Sequence, residues 1–167
     1  MTNDSILAQT FLHQVLLVAE RNLEKDGVLF PVLFLRFGQG VPNVIILKLG
    51  HTTEEKLAEM ALLGESLRRA GKSILEALML CEVWFVKSPK DAEALTIPPS
   101  EHPDRKEAIV LFGRDQTGER ASMVVQPFVR DVANKPLWDS ERLEEFNQGP
   151  NRRYHFVGLL DQLFISN

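Results

Sequence analysis

Residues 77–86, ALMLCEVWFV, place one carboxylate, Glu82, among nine apolar side chains. A strand turns successive side chains to opposite faces, so Glu82 shares a face with Leu80 and Trp84, against Cys81, Val83 and Phe85. An ionised carboxylate on a covered sheet face is costly unless it is paired. The run therefore allows two arrangements. Either the face is open, or Glu82 pairs with Arg36 or Lys48, charges that stand alone in other apolar runs as Arg130 does; or Glu82 belongs to a polar pocket on the sheet.

The rest of the chain supplies what would surround that strand. DSILAQTFLHQVLLVAERNLEKDG reads as a helix with Asp4 or Ser5 as N-cap and Gly27 as stop. Its apolar stripe is wide: Leu7, Phe11, Val15 and Val18 on one line, Leu12, Leu16 and Leu23 beside it. Such a helix is buried on most sides or packs on a second subunit as well. VLFPVLFLRF and NVIILKLG, joined by GQGVP, form an antiparallel hairpin, with Pro31 delaying the first strand or placing it at an edge. The next helix starts at Thr52 or Thr53, buries Leu57, Met60, Ala61, Leu63 and Leu67, and ends at Gly71.

After the Glu82 strand comes a proline-rich loop, PKDAEALTIPPSEHPDR. Two strands, KEAIVLFGRD and ERASMVVQPFVRDV, then turn at DQTG, where Gly118 supplies a positive φ. A short helix near DSERLEEF and a last one in RYHFVGLLDQLFI, with Phe156, Leu159, Leu160 and Leu163 at helical spacing, complete the order αββαβββαα. The expectation is one α+β domain over residues 1–167, with a mainly antiparallel sheet of about five strands and flanking helices.

Charge and motif content exclude several functions. The formal charge is −4 and Lys/Arg residues are scattered, so neither nucleic acid nor an anionic membrane is an expected partner. No apolar run reaches the roughly 18 residues of a membrane span, and MTNDSILAQTF lacks a signal-peptide pattern, so the expected location is the cytoplasm. Cys81 is the single cysteine, which removes intramolecular disulfides and cysteine-based zinc. His13, His51, His102 and His155 show no ligand spacing; His51 with Glu54 or Glu55 is only a loose pair. LGESL is not a nucleophile elbow, and GQGVPN lacks the following helix of a dinucleotide site. No metal, cofactor or catalytic residue is assigned. A phosphate site would rest on Arg152 and Arg153 alone.

One stretch concentrates charge: IPPSEHPDRKEAIVLFG, residues 97–113. Pro98, Pro99 and Pro103 stiffen it, and Ser100 and Asp104 suit turns. Arg105 can hold a carboxylate by two parallel bonds, with Glu82, Glu101 and Glu107 as available partners. These residues fit a rigid turn between strands, and equally a binding site. The stretch, together with EVWFV, resembles a pattern in uncharacterised prokaryotic and phage-associated proteins. There a Glu-x-Trp strand precedes a Pro-Ser-Glu-x-Pro-x-Arg-x-Glu segment and another strand. The matching residues are Glu82, Trp84, Pro99, Ser100, Glu101, Pro103, Arg105 and Glu107. The resemblance implies no activity.

The candidate binding residues are therefore Glu82, Trp84, Ser100, Glu101, Arg105 and Glu107. The expected function is a non-enzymatic binding or assembly module, a homodimer supported by the wide apolar stripe of the first helix and by the apolar last helix. The alternative is an enzyme or small-anion-binding protein with a pocket of Glu82, Glu101, Arg105 and Glu107, in which Glu82 is the base and Arg105 holds the anion.

Overall fold

The computed structural model describes residues 5–85, 105–149 and 159–165. Helix α1 spans Gln9–Asp26 and is entered from Ala8, with no side-chain cap. Ser5, an expected cap, instead donates its hydroxyl to Glu76 at 2.8 Å; Asp4 lies outside the described residues. The helix stops at Gly27, whose φ of 75° lets its amide reach Leu23. Helix α2, Thr53–Arg69, starts as expected at Thr52. The Thr52 hydroxyl accepts from the Glu55 amide while Glu55 returns the bond to the Thr52 amide, a reciprocal cap worth about 1 kcal/mol.

Among the described residues seven strands form one antiparallel sheet: β1 (Val32–Arg36), β2 (Asn43–Ile46), β3 (Glu76–Phe85), β4 (Lys106–Asp115), β5 (Ala121–Arg130), β6 (Pro136–Trp138) and β7 (Leu143–Gln148). The order is β2-β1-β3-β4-β5, with β6 and β7 each paired to β5. β6 meets the end of β5, Phe128–Arg130, and β7 its beginning, Ala121–Val125. The hairpin of β1 and β2 and the turn at Gly118 (φ 76°) are as expected. Pro31 delays β1, which starts at Val32, but β1 is not an edge.

Two segments expected to be helical differ where the chain is described. The segment around DSERLEEF carries strand β7. Leu143 and Phe146 are three apart, which suits a helix; three apart in a strand also means opposite faces. Leu143 packs on one face of the sheet with Val125, and Phe146 on the other beneath α1. The sheet is covered on both sides, so a spacing that looks helical suits a strand as well. In the last segment the described part is one 3-10 turn, Asp161–Phe164. Phe156 and His155 lie outside the described residues.

Each face has its own core. Under α1 lie Leu78, Leu80, Ile109, Leu111, Val124 and Phe128, which contact Leu12, Leu16, Ala19 and Leu23 of the helix. On the other face Leu33, Leu35, Ala77 and Met79 pack on Met60 of α2 and on Leu160 and Leu163. Gly64 admits this second contact: a Cβ there would stand 2.6 Å from the Leu163 carbonyl oxygen.

The flanks of α1 differ. On the β7 side His13 bonds Glu144 at 2.7 Å, Glu20 meets Arg142 at 3.4 Å, and Glu24 accepts from the Trp138 indole at 2.9 Å. On the β1 side the helix presents Phe11, Val15 and Val18. Phe11 meets Phe34 edge to face at 5.6 Å, and Val18 is 55 % exposed. The wide stripe is thus buried along its centre and open along one border.

Candidate functional site

β3 and β4 bring four of the candidate residues to one region of the α1 face. In their register Glu82 lies opposite Ile109 and Trp84 opposite Glu107, with Arg105 just before β4. Ser100 and Glu101 lie outside the described residues, as do His102, Arg152 and Arg153.

The residue that organises the region is Arg130, at the end of β5. Its Nε donates to both Glu107 carboxylate oxygens at 3.1 Å, and one Nη donates to Glu82 at 2.8 Å. The other Nη donates to the carbonyls of Gly27 (3.1 Å) and Asn134 (3.3 Å), the latter beyond β5. Glu82 also accepts from the Leu29 amide at 3.3 Å. The guanidinium stands 5.3 Å from the Phe128 ring. All three charged side chains are less than 20 % exposed. One cation thus serves two carboxylates and ties β3, β4 and β5 to the chain leaving α1.

This corrects two expectations. The partner of Glu82 is neither Arg36 nor Lys48: Arg36 is committed to Glu76 at 2.8 Å, and Lys48 is exposed at the far edge. Nor does Arg105 anchor Glu82 or Glu107. It is exposed and lies over the Trp84 ring at 5.0 Å. The β4–β5 register explains why Arg130 reaches Glu107. Phe128 is directly opposite Glu107, and Arg130, two residues on, faces the same way. Counting outward from the Gly118 turn would have found that pairing in the sequence.

A second ionic cluster sits at the opposite end of the sheet and was not expected. Glu76 is 1 % exposed and opens β3. It accepts from the Ser5 hydroxyl, the Ile6 amide at 3.0 Å and Arg36, with Arg120 at 3.5 Å. Burial pushes its pKa up, but the bonds from Arg36, Ser5 and Ile6 outweigh that and leave it below the ordinary carboxylate value. Asp115 beside it is treated alike: burial raises its pKa, while Thr117 and the amide and side chain of Arg120 bring it down overall. Glu76 lies one residue before the apolar run 77–86, and β3 includes it.

Other candidates offer no reactive group. Burial pushes the Cys81 thiol up to about 12, so it is protonated at neutral pH. Glu55, paired in prospect with His51, accepts the His51 amide as part of the α2 cap. Among the described residues no group of three His, Cys, Asp or Glu could hold a metal, and no helix is long and apolar enough to cross a membrane. A depression lined by Phe85, Lys106, Pro127, Asp139, Glu141 and Leu143 has room for about one water molecule and lies away from Arg130. No known protein family, curated protein or solved structure matches the chain.

Proposed function

We propose that the chain is a non-enzymatic binding or assembly module that acts by associating with itself. The observation that carries this reading is the open apolar border on the α1 face. Val18 is 55 %, Val44 57 % and Ile46 71 % exposed, and Val44 and Ile46 stand opposite Phe34 and Val32 in the β1–β2 register. An apolar strip of this kind is a typical mark of an association surface. The carboxylates that an enzyme would need point the same way, because Glu82 and Glu107 are both engaged by Arg130. Sedimentation equilibrium at micromolar concentration should give a mass near twice 18.9 kDa; a clean monomer would remove the reading.

The rival reading, an enzyme or small-anion binder using Glu82, Glu101, Arg105 and Glu107, draws on one observation. Arg105 is exposed over Trp84 and has no ion pair among the described residues. Phosphate that quenched Trp84 fluorescence in a Trp138→Phe background would favour it over self-association.

A further inference from the structure

β2 is the outer strand of its sheet, and its free edge has a definite chemistry. The Leu47 amide donates to the Pro31 carbonyl at 2.8 Å, in the same register that pairs Leu33 with Ile45 and Leu35 with Asn43. Hydrogen-bonded and non-bonded pairs alternate along an antiparallel ladder. The amides and carbonyls of Val44 and Ile46 therefore point away from β1, and among the described residues nothing pairs with them. Their side chains add the exposed apolar row, and Phe30, 67 % exposed, precedes β1 by two positions.

We propose, resting on the self-association reading above, that β2 is the seam of a homodimer. Two copies lie antiparallel, β2 against β2, with Val44 of each opposite Ile46 of the other. This register matches the outward donors and acceptors of one strand to those of its copy and merges two sheets into one. Paired residues share a face, so the apolar rows of both copies meet on the α1 side.

Charge favours a second copy over a charged peptide as the occupant. Residues 41–47 contain no ionisable side chain, so the edge has no complement for a charged peptide. Lys48 is the nearest charge, and in this register it falls opposite Pro42, clear of the other Lys48. Proline cannot donate to a ladder, so Pro42 also limits the pairing to a few residues. The contact is isologous: each β2 is consumed by the other, and the assembly closes at two copies.

The test compares Ile46→Lys with Leu137→Lys, a change at a similarly exposed apolar residue (53 %) on β6. Wild type and Leu137→Lys should sediment as dimers and Ile46→Lys as a monomer with an unchanged circular dichroism spectrum. In wild type, hydrogen exchange at the Val44 and Ile46 amides should quicken by about tenfold or more on dilution below the dimer range, while Ile45 and Leu47 stay constant. If Ile46→Lys fails to fold, that exchange pattern alone decides. A folded Ile46→Lys dimer, or exchange at Val44 and Ile46 that ignores concentration, would overturn the β2 seam and leave self-association standing elsewhere. A wild-type monomer would remove both.

Discussion

The two ends of the sheet solve one problem with opposite stoichiometry. At one end a single arginine, Arg130, holds two carboxylates, Glu82 and Glu107; at the other a single carboxylate, Glu76, collects two arginines, Arg36 and Arg120. Both clusters fasten a chain end of α1 to the strands. Arg130 reaches the Gly27 carbonyl beyond the helix, and Glu76 takes the Ser5 hydroxyl and Ile6 amide before it. The difference lies in what each leaves behind when its centre is lost. Without Arg130, two carboxylates face each other with little water. Without Glu76, Arg120 is already half exposed and keeps Asp115 at 3.2 Å. A hub is harder to replace when its spokes repel one another and have little access to solvent.

The sharpest way to break the comparison is Arg130→Ala. It should destabilise the fold by about 3–5 kcal/mol in urea melts, the range for stranding buried charge. Arg130→Lys should recover only part of this, because an ammonium cannot serve Glu107 and Glu82 in the same fork. A loss below about 1 kcal/mol would show that water reaches both carboxylates. Glu76→Ala comes next, at about 2–3 kcal/mol: it removes bonds to a charged acceptor, but one of its two arginines can turn outward. A loss equal to that of Arg130→Ala would erase the asymmetry.

Acid should act on the Glu76 end in a defined direction. Glu76 and Asp115 titrate below their ordinary values of 4.5 and 3.8. Their stabilisation is complete above those values and is lost as the pH falls through the lower folded ones. Melts between pH 5 and about 2 should therefore show a falling stability that is shallower in Glu76→Gln. An unchanged slope would assign the acid sensitivity elsewhere. The smallest effect is expected from Arg105→Ala, below about 1 kcal/mol, since the interaction it removes among the described residues is an exposed contact with Trp84. A loss near 3 kcal/mol would mean that Arg105 shares with Arg130 the work of holding the carboxylates.

The readability of the chain followed the same physics. Elements whose stop and start signals are local were legible: the Thr52 cap, the Gly27 and Gly118 positions, and the β1–β2 hairpin all appear where residue chemistry demands them. β7 was not, since its helix-like spacing belongs to a strand with apolar neighbours on both faces. The candidate site was half legible. Glu82 was expected on an open face, paired with Arg36 or Lys48, or in a polar pocket. It is paired, but with Arg130, and finding that partner requires strand order, which is set by contacts far apart in sequence.

The notch at Gly64 has a consequence for how the molecule is made. The core under α1 is furnished by residues up to Phe146, but the core on the α2 face lacks Leu160 and Leu163 until the end of the described chain has been synthesised. A ribosome delivers residues in order. One side of the sheet can therefore be roofed while Met60, Ile74 and Met79 on the other still lack part of their cover, waiting for a short turn that Arg68 then grips through the Leu163 carbonyl at 3.0 Å. During that interval the half-made protein carries a sticky underside, and the absence of a side chain at residue 64 is what lets the last piece slide home.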